Sequence, residues 1–210
     1  INEISENLLN YNYEIILYND GSNDDTEKIL NKLNNKKIKV INSKINKGQS
    51  YAIYYAIKIA KSNTIVTIDG DGQNDPKDIV NLLNLYIISP DILLVGGIRK
   101  KRRDTILKII SSRIANYIRM KIFNDNCLDT GCSLKIFDKK VFLKFPYFNS
   151  IHRFLPALFT GVNVQTKFIY VNHRPRIYGI SKYNTFGRLI RGIIDIFKVK
   201  NIIRNLNKND

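Results

Sequence analysis

With 210 residues and 44% hydrophobic content, the chain can bury a full core, and one domain with a small appendage is the expected organisation. Its net charge of +16 favours anionic partners: phosphorylated substrates, an anionic membrane surface or nucleic acid. Two cysteines and two histidines exclude a disulfide framework and the usual zinc spacings, and no apolar run is long enough to span a bilayer. A reducing compartment follows. Ile1 in place of Met predicts a fragment or a processed chain.

The first half of the sequence alternates strands and helices. Alternation of this kind predicts right-handed crossovers and a mostly parallel sheet flanked by helices, in a nucleotide-binding type of α/β half. The predicted elements, in order, are a helix at 2–10, a strand at 14–18, a helix around Ile29 and Leu33, a strand at 38–41, a helix at 49–60, a strand at 64–68, and a helix that buries Ile79 and Leu82.

The strand at 64–68 is the most informative element, because it ends in two carboxylates, Asp69 and Asp71. A short β-branched run bounded by Gly and Asp is typical of a strand buried on both faces, and such strands carry their sites at the carboxyl end. Residues i and i+2 of an extended segment point the same way, so both acids can face one hard cation. A helix-loop-helix calcium site fails, because Asn74 and Val80 occupy the positions of its Gly and Glu.

The second half has a looser pattern. Its predicted elements are a strand at 92–96, a helix at 105–123, a turn at 129–131 running into a strand, a helix from Ile151, a half-exposed strand at 164–171, and a basic loop at 174–183. The residues of the helix at 105–123 that are predicted to face inward are Ile106, Ile109, Ile110, Ile114, Tyr117 and Ile118. The last stretch, 186–199, is an amphipathic basic helix, for which a membrane surface and the protein core are equal alternatives.

Acids at the ends of two strands, together with a distant basic loop, fit the binding of a nucleoside diphosphate. Carboxylates would bind Mg²⁺ or Mn²⁺, the metal would bridge the diphosphate, and Lys or Arg groups would neutralise the remaining charge. Neither G-x-G-x-x-G after a strand nor G-x-x-x-x-G-K-[ST] occurs, which excludes an ordinary dinucleotide fold and a P-loop.

These residues carry a resemblance to the family 2 glycosyltransferases with the GT-A fold, and within them to the polyprenyl-phosphate sugar synthases, such as dolichyl-phosphate mannosyltransferase and the undecaprenyl-phosphate glycosyltransferases. Six motifs fall in the family's order and together cover nearly the whole chain. They are Asn19-Asp20-Gly21-Ser22 with Asp24 and Thr26, Asn46-Lys47-Gly48, Asp69-Gly70-Asp71-Gly72-Gln73 with Pro76, Asp129 with Gly131-Cys132 and Leu134-Lys135, His152-Arg153-Phe154-Leu155-Pro156, and Arg176 with Gly179 and Ser181-Lys182-Tyr183.

The resemblance implies roles for individual residues. On the donor side, it implies nucleotide-sugar contacts for Glu3, Asp20, Lys47, Asp69, Asp71 and Gln73, with Asp69 and Asp71 also holding Mg²⁺ or Mn²⁺. On the acceptor side, it implies phosphate contacts for Arg99, Arg113, Arg176, Ser181 and Lys182. Asp71 and Asp129 are the implied catalytic residues, with Asp129 positioning the acceptor in preference to acting as a base.

The resemblance also implies a domain layout and partners. A GT-A domain at 1–183 would divide into a nucleotide-sugar half at 1–97 and an acceptor half at 98–183, followed by a basic amphipathic helix and tail at 184–210. The implied partners are a UDP- or GDP-sugar, a polyprenyl phosphate lipid, the cytoplasmic face of the membrane in peripheral contact, and either a second copy or a membrane subunit. Nucleic acid is not among them.

The sequence departs from the family pattern at several places. The family's first strand, with its Pro and Tyr, is expected before Ile1. Asn19 stands where the family usually has a second Asp. Lys135 replaces the usual Arg, which keeps the charge but loses the bidentate fork.

Two other functions compete with transfer to a polyprenyl phosphate. Transfer to a glycan or another hydroxyl acceptor uses the same donor motifs and predicts a strong need for Asp129 as a base. A non-enzymatic binder of nucleic acid or anionic membrane would use the net charge of +16 alone. Against that function, acids cluster where a nucleic-acid groove needs cations, and the aromatic residues occupy apolar helix positions.

Overall fold

The computed structural model describes residues 1–100, 106–175 and 185–209. Within them, strands alternate with helices as the sequence predicts. The strands are β1 (Ile15–Asp20), β2 (Ile38–Ser43), β3 (Thr64–Thr67), β4 (Ile92–Arg99), β5 (Lys135–Asp138) and β6 (Gln165–Val171). The helices are α1 (Asn2–Asn7), α2 (Thr26–Asn31), α3 (Gln49–Ile59), α4 (Lys77–Ile88), α5 (Ile106–Phe123), α6 (Lys139–Leu143), α7 (Ile151–Gly161) and α8 (Thr185–Asn209).

The strands form two sheets among the described residues. β1 and β2 pair in parallel, and a second sheet has the order β3-β5-β4-β6. In that sheet β4 and β6 are parallel, whereas β5 runs antiparallel to both of its neighbours. The predicted α/β class with parallel strands is confirmed, and the reversed direction of β5 is an addition to it. The expected strand before Ile1 stays a prediction.

The core consists of two apolar clusters. The larger is rich in phenylalanine and lies among β5, α6, α7 and α8, with Phe137, Phe142 and Phe159 fully buried. The smaller joins α4 to the four-stranded sheet through Leu82, Val95 and other residues. Burial of this kind provides most of the favourable free energy of folding, at roughly 25 cal/mol per Å² of apolar surface. It also holds the carboxyl ends of β3 and β4 at fixed positions.

The prediction of an inward face on α5 is wrong for Ile114, Tyr117 and Ile118, whereas the side chains of Ile106, Ile109 and Ile110 fall outside the described part of the structure. The first three side chains are 55%, 58% and 47% exposed, whereas Asn116 and Arg119 on the other side are buried. The polar residues are inside because each has partners there. Asn116 Nδ2 donates to the Leu128 carbonyl at 2.9 Å, and Arg119 donates to the Cys127 carbonyl and pairs with a buried carboxylate.

The C-terminal part of α8 packs on the core. Val199 is completely buried, and Ile203 lies against Gly161 at the end of α7. Asn207 Nδ2 donates to the Gly161 carbonyl at 2.9 Å. Val199 is the last residue of the predicted helix at 186–199, and Ile203 and Asn207 lie beyond it. Within the predicted helix, Ile194 and Phe197 are exposed, so the choice between the core and a membrane surface for its apolar face stays open. No helix in the described ranges combines the length and the apolar character that crossing a bilayer requires.

Candidate active site

Asp69 lies just beyond the carboxyl end of β3 and is fixed from two sides. Gln49 Nε2, at the start of α3, donates to Asp69 Oδ1 at 2.9 Å. The Asp69 amide donates to Ser133 Oγ at 3.1 Å, and Thr67 Oγ1 donates to the Ser133 carbonyl at 2.7 Å. Ser133 lies two residues before β5, so the chain that enters this antiparallel strand holds the acidic turn in place.

The electrostatics around Asp69 fit a cation. Burial raises the pKa of Asp69, and repulsion from the Asp71 carboxylate raises it further, although the Ser133 hydrogen bond, Lys135 and Arg99 oppose the shift. The ionised carboxylate is therefore incompletely compensated, and a divalent cation between the two acids would compensate it. No group of three or more His, Cys, Asp or Glu side chains suited to a metal occurs in the described ranges. Two carboxylates with phosphate oxygens and water complete a shell that Mg²⁺ accepts.

The turn after Asp71 is tied to the end of β6. Asp71 Oδ1 accepts from the Gln73 amide at 3.1 Å, which closes a tight turn around the acid. The Gln73 carbonyl accepts from the Arg174 amide at 2.8 Å, and Asn74 forms a β-bridge with His173. Segments about a hundred residues apart in the chain therefore fix the backbone around Asp71.

Asp20, the last residue of β1, holds the start of α3. Its Oδ1 accepts from the Lys47 amide at 2.8 Å, and its Oδ2 accepts from the Gly48 amide at 2.7 Å. Gly21 follows with φ of +68°, and a Cβ there would lie 2.7 Å from the Asn46 nitrogen, so glycine is required at this close approach. Asp20 thus fixes the loop that leads directly to Gln49 and its bond to Asp69.

A cluster of tyrosines lies beside this loop. The rings of Tyr51 and Tyr55, one helical turn apart on α3, stack at 6.1 Å, and Tyr18 contacts both edge to face. Lys47 Nζ lies 4.5 Å from the centre of the Tyr51 ring. Tyr147 contacts the Tyr51 ring edge to face at 6.1 Å. Burial raises the pKa of Tyr147, and Tyr51 and Asp20 raise it further. Sequence reasoning missed these rings, although the Tyr51 and Tyr55 spacing of four was visible.

Arg99 and Asp129 form a bidentate ion pair at the end of β4. Nε to Oδ2 is 2.7 Å and Nη2 to Oδ1 is 2.8 Å, and the Arg99 amide also donates to Oδ2 at 3.3 Å. A Cβ at Gly131 would lie 2.8 Å from Arg99 Nη2, so glycine at this position allows the guanidinium to approach. Sequence reasoning assigned both residues to the acceptor side but did not predict that they contact each other.

Two further residues connect the halves of the molecule. Ser50 Oγ, one residue beyond Gln49, lies 2.8 Å from His152 Nδ1 and accepts from the Ser150 amide at 2.7 Å. Lys135 is 3% exposed and donates to the Cys132 carbonyl. The positive charge that Lys135 keeps in place of the family's usual Arg therefore lies in the interior, where it lowers the pKa of Asp69 through space.

Other predicted site residues lie apart from these contacts. Glu3 pairs with Arg174 at 2.8 Å, and Arg174 also pairs with Asp75 at 2.9 Å, so the structure gives Glu3 a cationic partner and its contact with a nucleoside stays a prediction. Arg113 is exposed on α5. Arg176, Ser181 and Lys182 fall outside the described residues.

Residues 1–146 match the family model of glycosyl transferase family 2, and the chain belongs to that family. Among curated proteins, it is 34% identical over 200 residues to a dodecaprenyl-phosphate galacturonate synthase of Rhizobium johnstonii, a match that covers 92% of the chain and 59% of the relative. It is 30% identical over 192 residues to an undecaprenyl-phosphate 4-deoxy-4-formamido-L-arabinose transferase of Yersinia pestis, covering 90% of the chain and 58% of the relative. The chain thus spans somewhat under two thirds of these relatives.

Solved structures confirm the GT-A fold. A glucosyl-3-phosphoglycerate synthase from Mycobacterium tuberculosis in complex with phosphoglyceric acid superposes with a TM-score of 0.69 at 15% identity, covering 90% of the chain and 69% of the other protein. The same enzyme in complex with Mn²⁺ and UDP-glucose superposes with a TM-score of 0.65 at 15% identity, covering 94% of the chain and 72% of the other protein. At this identity the likeness concerns the fold.

Proposed function

We propose that the chain is the catalytic domain of an inverting glycosyltransferase that moves a sugar from a nucleoside-diphosphate sugar to a polyprenyl phosphate. The observation that carries the proposal is the pair Asp69 and Asp71 at the end of β3, held from α3 and from the β5 segment by Gln49 and Ser133. The names of the two curated relatives support the acceptor, because both describe a prenyl phosphate that receives a sugar.

On the donor side, Asp69 and Asp71 would hold Mg²⁺ or Mn²⁺, which supplies positive charge to the leaving diphosphate when bound. Binding of Mn²⁺ and UDP-glucose by the mycobacterial enzyme of the same fold supports a divalent cation and a nucleotide sugar. Asp20 would support the nucleotide indirectly, by fixing the amides of Lys47 and Gly48. Lys47, Gln73 and Glu3 complete the proposed donor side.

On the acceptor side, Arg99 supplies a guanidinium and Asp129 orients it. An acceptor phosphate has a second pKa of about 6, so it is largely a dianion at neutral pH and attacks the anomeric carbon with little need of a base. Both oxygens of Asp129 accept hydrogen bonds from Arg99, which suits a positioning residue. Arg113, Arg176, Ser181 and Lys182 are proposed as further phosphate contacts.

The proposed place of action is the cytoplasmic face of a membrane, in peripheral contact. Polyprenyl phosphates are membrane lipids, and the net charge of +16 draws the protein to an anionic surface. A second copy or a membrane subunit is the proposed protein partner.

A turnover assay tests the proposal. The chain is incubated with Mn²⁺, a polyprenyl phosphate in detergent and a panel of UDP- and GDP-sugars, and release of the nucleoside diphosphate is measured with and without the lipid. We expect release that depends on the lipid phosphate and on the metal, and that falls by at least about a hundredfold in Asp71→Ala, the size of effect expected when one electrostatic group of a transition state is lost.

The comparison of Asp129→Asn with Asp71→Ala identifies the acceptor class. A phosphate acceptor predicts that Asp129→Asn retains more activity than Asp71→Ala, because no base is required. Equal activity in Asp71→Ala and the wild type would contradict the assignment of Asp71 to a metal site. Lipid-independent transfer to a glycan hydroxyl, abolished in Asp129→Asn, would replace the proposed acceptor with the hydroxyl alternative.

A further inference from the structure

Asn116, on the buried face of α5, contacts the residues on both sides of Asp129. Its Nδ2 donates to the Leu128 carbonyl at 2.9 Å, and its Oδ1 accepts from Thr130 Oγ1 at 3.1 Å. Asn116 is 8% exposed and Asp129 is 4% exposed, so these bonds lie in the interior. One amide group therefore holds the chain immediately before and immediately after the carboxylate.

The chemistry of the two contacts sets the orientation of this amide. A carbonyl oxygen only accepts hydrogen bonds, so Nδ2 must face Leu128, whereas the Thr130 hydroxyl can donate to Oδ1. The reversed amide would place Oδ1 against the Leu128 carbonyl, and two buried acceptors would face each other without a proton between them. Asparagine thus supplies both the donor and the acceptor that this position requires.

The same segment is tied to the interior at other points. Arg119, three residues further along α5, donates to the Cys127 carbonyl, and the Cys127 amide donates to Asp125 Oδ1 at 3.2 Å. From β5, Lys135 Nζ donates to the Thr130 carbonyl at 3.5 Å. Buried side chains of two elements therefore share the work of holding this segment, and such networks restrict the geometry of every group within them.

We propose that Asn116 is a positioning residue for Asp129 and that it acts on the acceptor through the ion pair of Asp129 with Arg99. The Asp129 carboxylate contacts Arg99 Nε at 2.7 Å and Nη2 at 2.8 Å. A bidentate pair has a narrow range of favourable geometries, so displacement of the backbone beside Asp129 would turn or break it. This role rests on the proposed function, in which Arg99 contacts the acceptor phosphate.

The donor side provides a contrast. Asp69 is held from α3 by Gln49 and from the segment before β5 by Ser133, and neither contact involves α5. Loss of the Asn116 hydrogen bonds should therefore affect the acceptor more than the donor. A displacement of about 1 Å at a reacting group can lower a rate by about a hundredfold, which sets the size of effect to look for.

Asn116→Asp tests the proposal, because it keeps the shape of the side chain and replaces the donor Nδ2 with an acceptor. We expect kcat/KM for a polyprenyl phosphate to fall by about tenfold to a hundredfold. The dissociation constant of UDP in the presence of Mn²⁺ should change by less than about twofold. Asn201→Asp, at an exposed position of α8, is the matched control and should leave both quantities unchanged. An equal loss of UDP affinity and of kcat/KM would assign Asn116 a general structural role and overturn the proposal.

Thr130 supplies a second pair of variants that leaves α5 unchanged. Thr130→Val removes the hydroxyl that binds Asn116 Oδ1, whereas Thr130→Ser keeps it. We expect Thr130→Val to lower kcat/KM for the acceptor by about fivefold or more, because a buried acceptor loses its donor, and Thr130→Ser to stay near the wild type. Equal activity of the two variants would contradict the role of this hydrogen bond.

A double-mutant cycle shows whether Asn116 acts through Asp129. In an Asp129→Asn background, addition of Asn116→Asp should lower turnover of the acceptor by no more than about twofold, because the carboxylate through which Asn116 acts is already gone. Losses that multiply in full would overturn the proposal.

Hydrogen exchange at Arg99 distinguishes failure of this inference from failure of the proposed function, because it needs no substrate. The Nε–H signal of Arg99 is identified in nitrogen-15 NMR spectra by its absence in Arg99→Lys. It should exchange with water at least about tenfold faster in Asn116→Asp than in the wild type and in Asn201→Asp. Unchanged exchange overturns the inference, even in a chain that uses a polyprenyl phosphate. Faster exchange in a chain that turns over no prenyl phosphate supports the positioning by Asn116 and contradicts the proposed function alone.

Discussion

Arg99 binds Asp129 through both of its carboxylate oxygens, with Nε 2.7 Å from Oδ2 and Nη2 2.8 Å from Oδ1. The two side chains are 14% and 6% exposed, so the pair is largely removed from water. Desolvation offsets most of the attraction in such a pair, and its main effect is to fix two groups in one geometry. The pair links the end of β4 to the segment before β5, next to the turn that carries Asp69.

Removal of the guanidinium should be costly, because Asp129 stays buried and loses the bidentate partner that both of its oxygens contact. We expect Arg99→Met to lower the free energy of unfolding in urea by roughly 3–5 kcal/mol. Arg113→Met, a substitution at an exposed position of α5, is the control and should change it by less than about 0.5 kcal/mol. Addition of Asp129→Leu to Arg99→Met should restore part of the loss. Equal stability of Arg99→Met and the control would contradict the conclusion that Arg99 and Asp129 form a buried ion pair.

The sequence predicts those parts of the candidate site that depend on residues adjacent in the chain. Asp69 and Asp71 end a β-branched run, and that local pattern placed them at a sheet edge. Gln49 and Ser133 could not be predicted, because they reach Asp69 from 20 and 64 residues away and nothing local marks either one. The contact between Arg99 and Asp129 depends on the direction of β5, which a sequence pattern does not encode.

The fold shows the same limit. Helical spacing on α5 correctly grouped Ile114, Tyr117 and Ile118 on one face, but periodicity does not say which face is covered. The covered face is the one with Asn116 and Arg119, whose side chains satisfy carbonyl groups of the segment after the helix. Buried polar groups with partners can therefore reverse the orientation that hydrophobicity alone predicts.

Asp20 should contribute to the stability of the fold as well as to the binding of the nucleotide. Asp20→Ala leaves the Lys47 and Gly48 amides without their acceptor, so we expect a loss of about 1–3 kcal/mol in the free energy of unfolding. Weaker binding of UDP should accompany it, because the same loop leads to Gln49. Asp25→Ala is the matched control, since Asp25 makes an ion pair whose carboxylate side chain is 73% exposed. Thermal melts with and without UDP measure both effects. A melting temperature of Asp20→Ala equal to that of Asp25→Ala would contradict the stabilising role of the hydrogen bonds between Asp20 and the loop.

Cys127 should make stability depend on alkaline pH. Burial raises the pKa of the Cys127 thiol from 9.0 to about 11. The folded state therefore favours the neutral thiol, and its contribution is complete below pH 9 and is lost as pH rises from 9 towards 11. The free energy of unfolding should fall by up to roughly 1.4 kcal/mol per pH unit across that window. Cys127→Ala should have a shallower slope than the wild type, and parallel slopes would contradict the assignment.

The contact between Gly161 and Ile203 tests the packing of α8. A Cβ at Gly161 would lie 2.4 Å from Ile203 Cδ1 and 2.7 Å from its Cγ1, so Ile203 must move if alanine is introduced. Alanine is the better helix former by about 1 kcal/mol, yet overpacking typically costs about 1–3 kcal/mol, and we expect Gly161→Ala to be destabilising overall.

Gly192→Ala provides the matched control for that substitution. Gly192 lies on α8, and a Cβ added there would meet nothing within 4 Å. It should be neutral or stabilising by up to about 1 kcal/mol. Addition of Ile203→Ala, which removes the Cδ1, Cγ1 and Cγ2 atoms that would lie 2.4, 2.7 and 2.8 Å from the new Cβ, should relieve the clash in Gly161→Ala. The effects of the two substitutions should therefore differ from additivity by at least about 0.5 kcal/mol. Denaturant unfolding of the four variants measures the coupling. Additive effects, or a stabilised Gly161→Ala, would mean that α8 does not rest on α7 in solution.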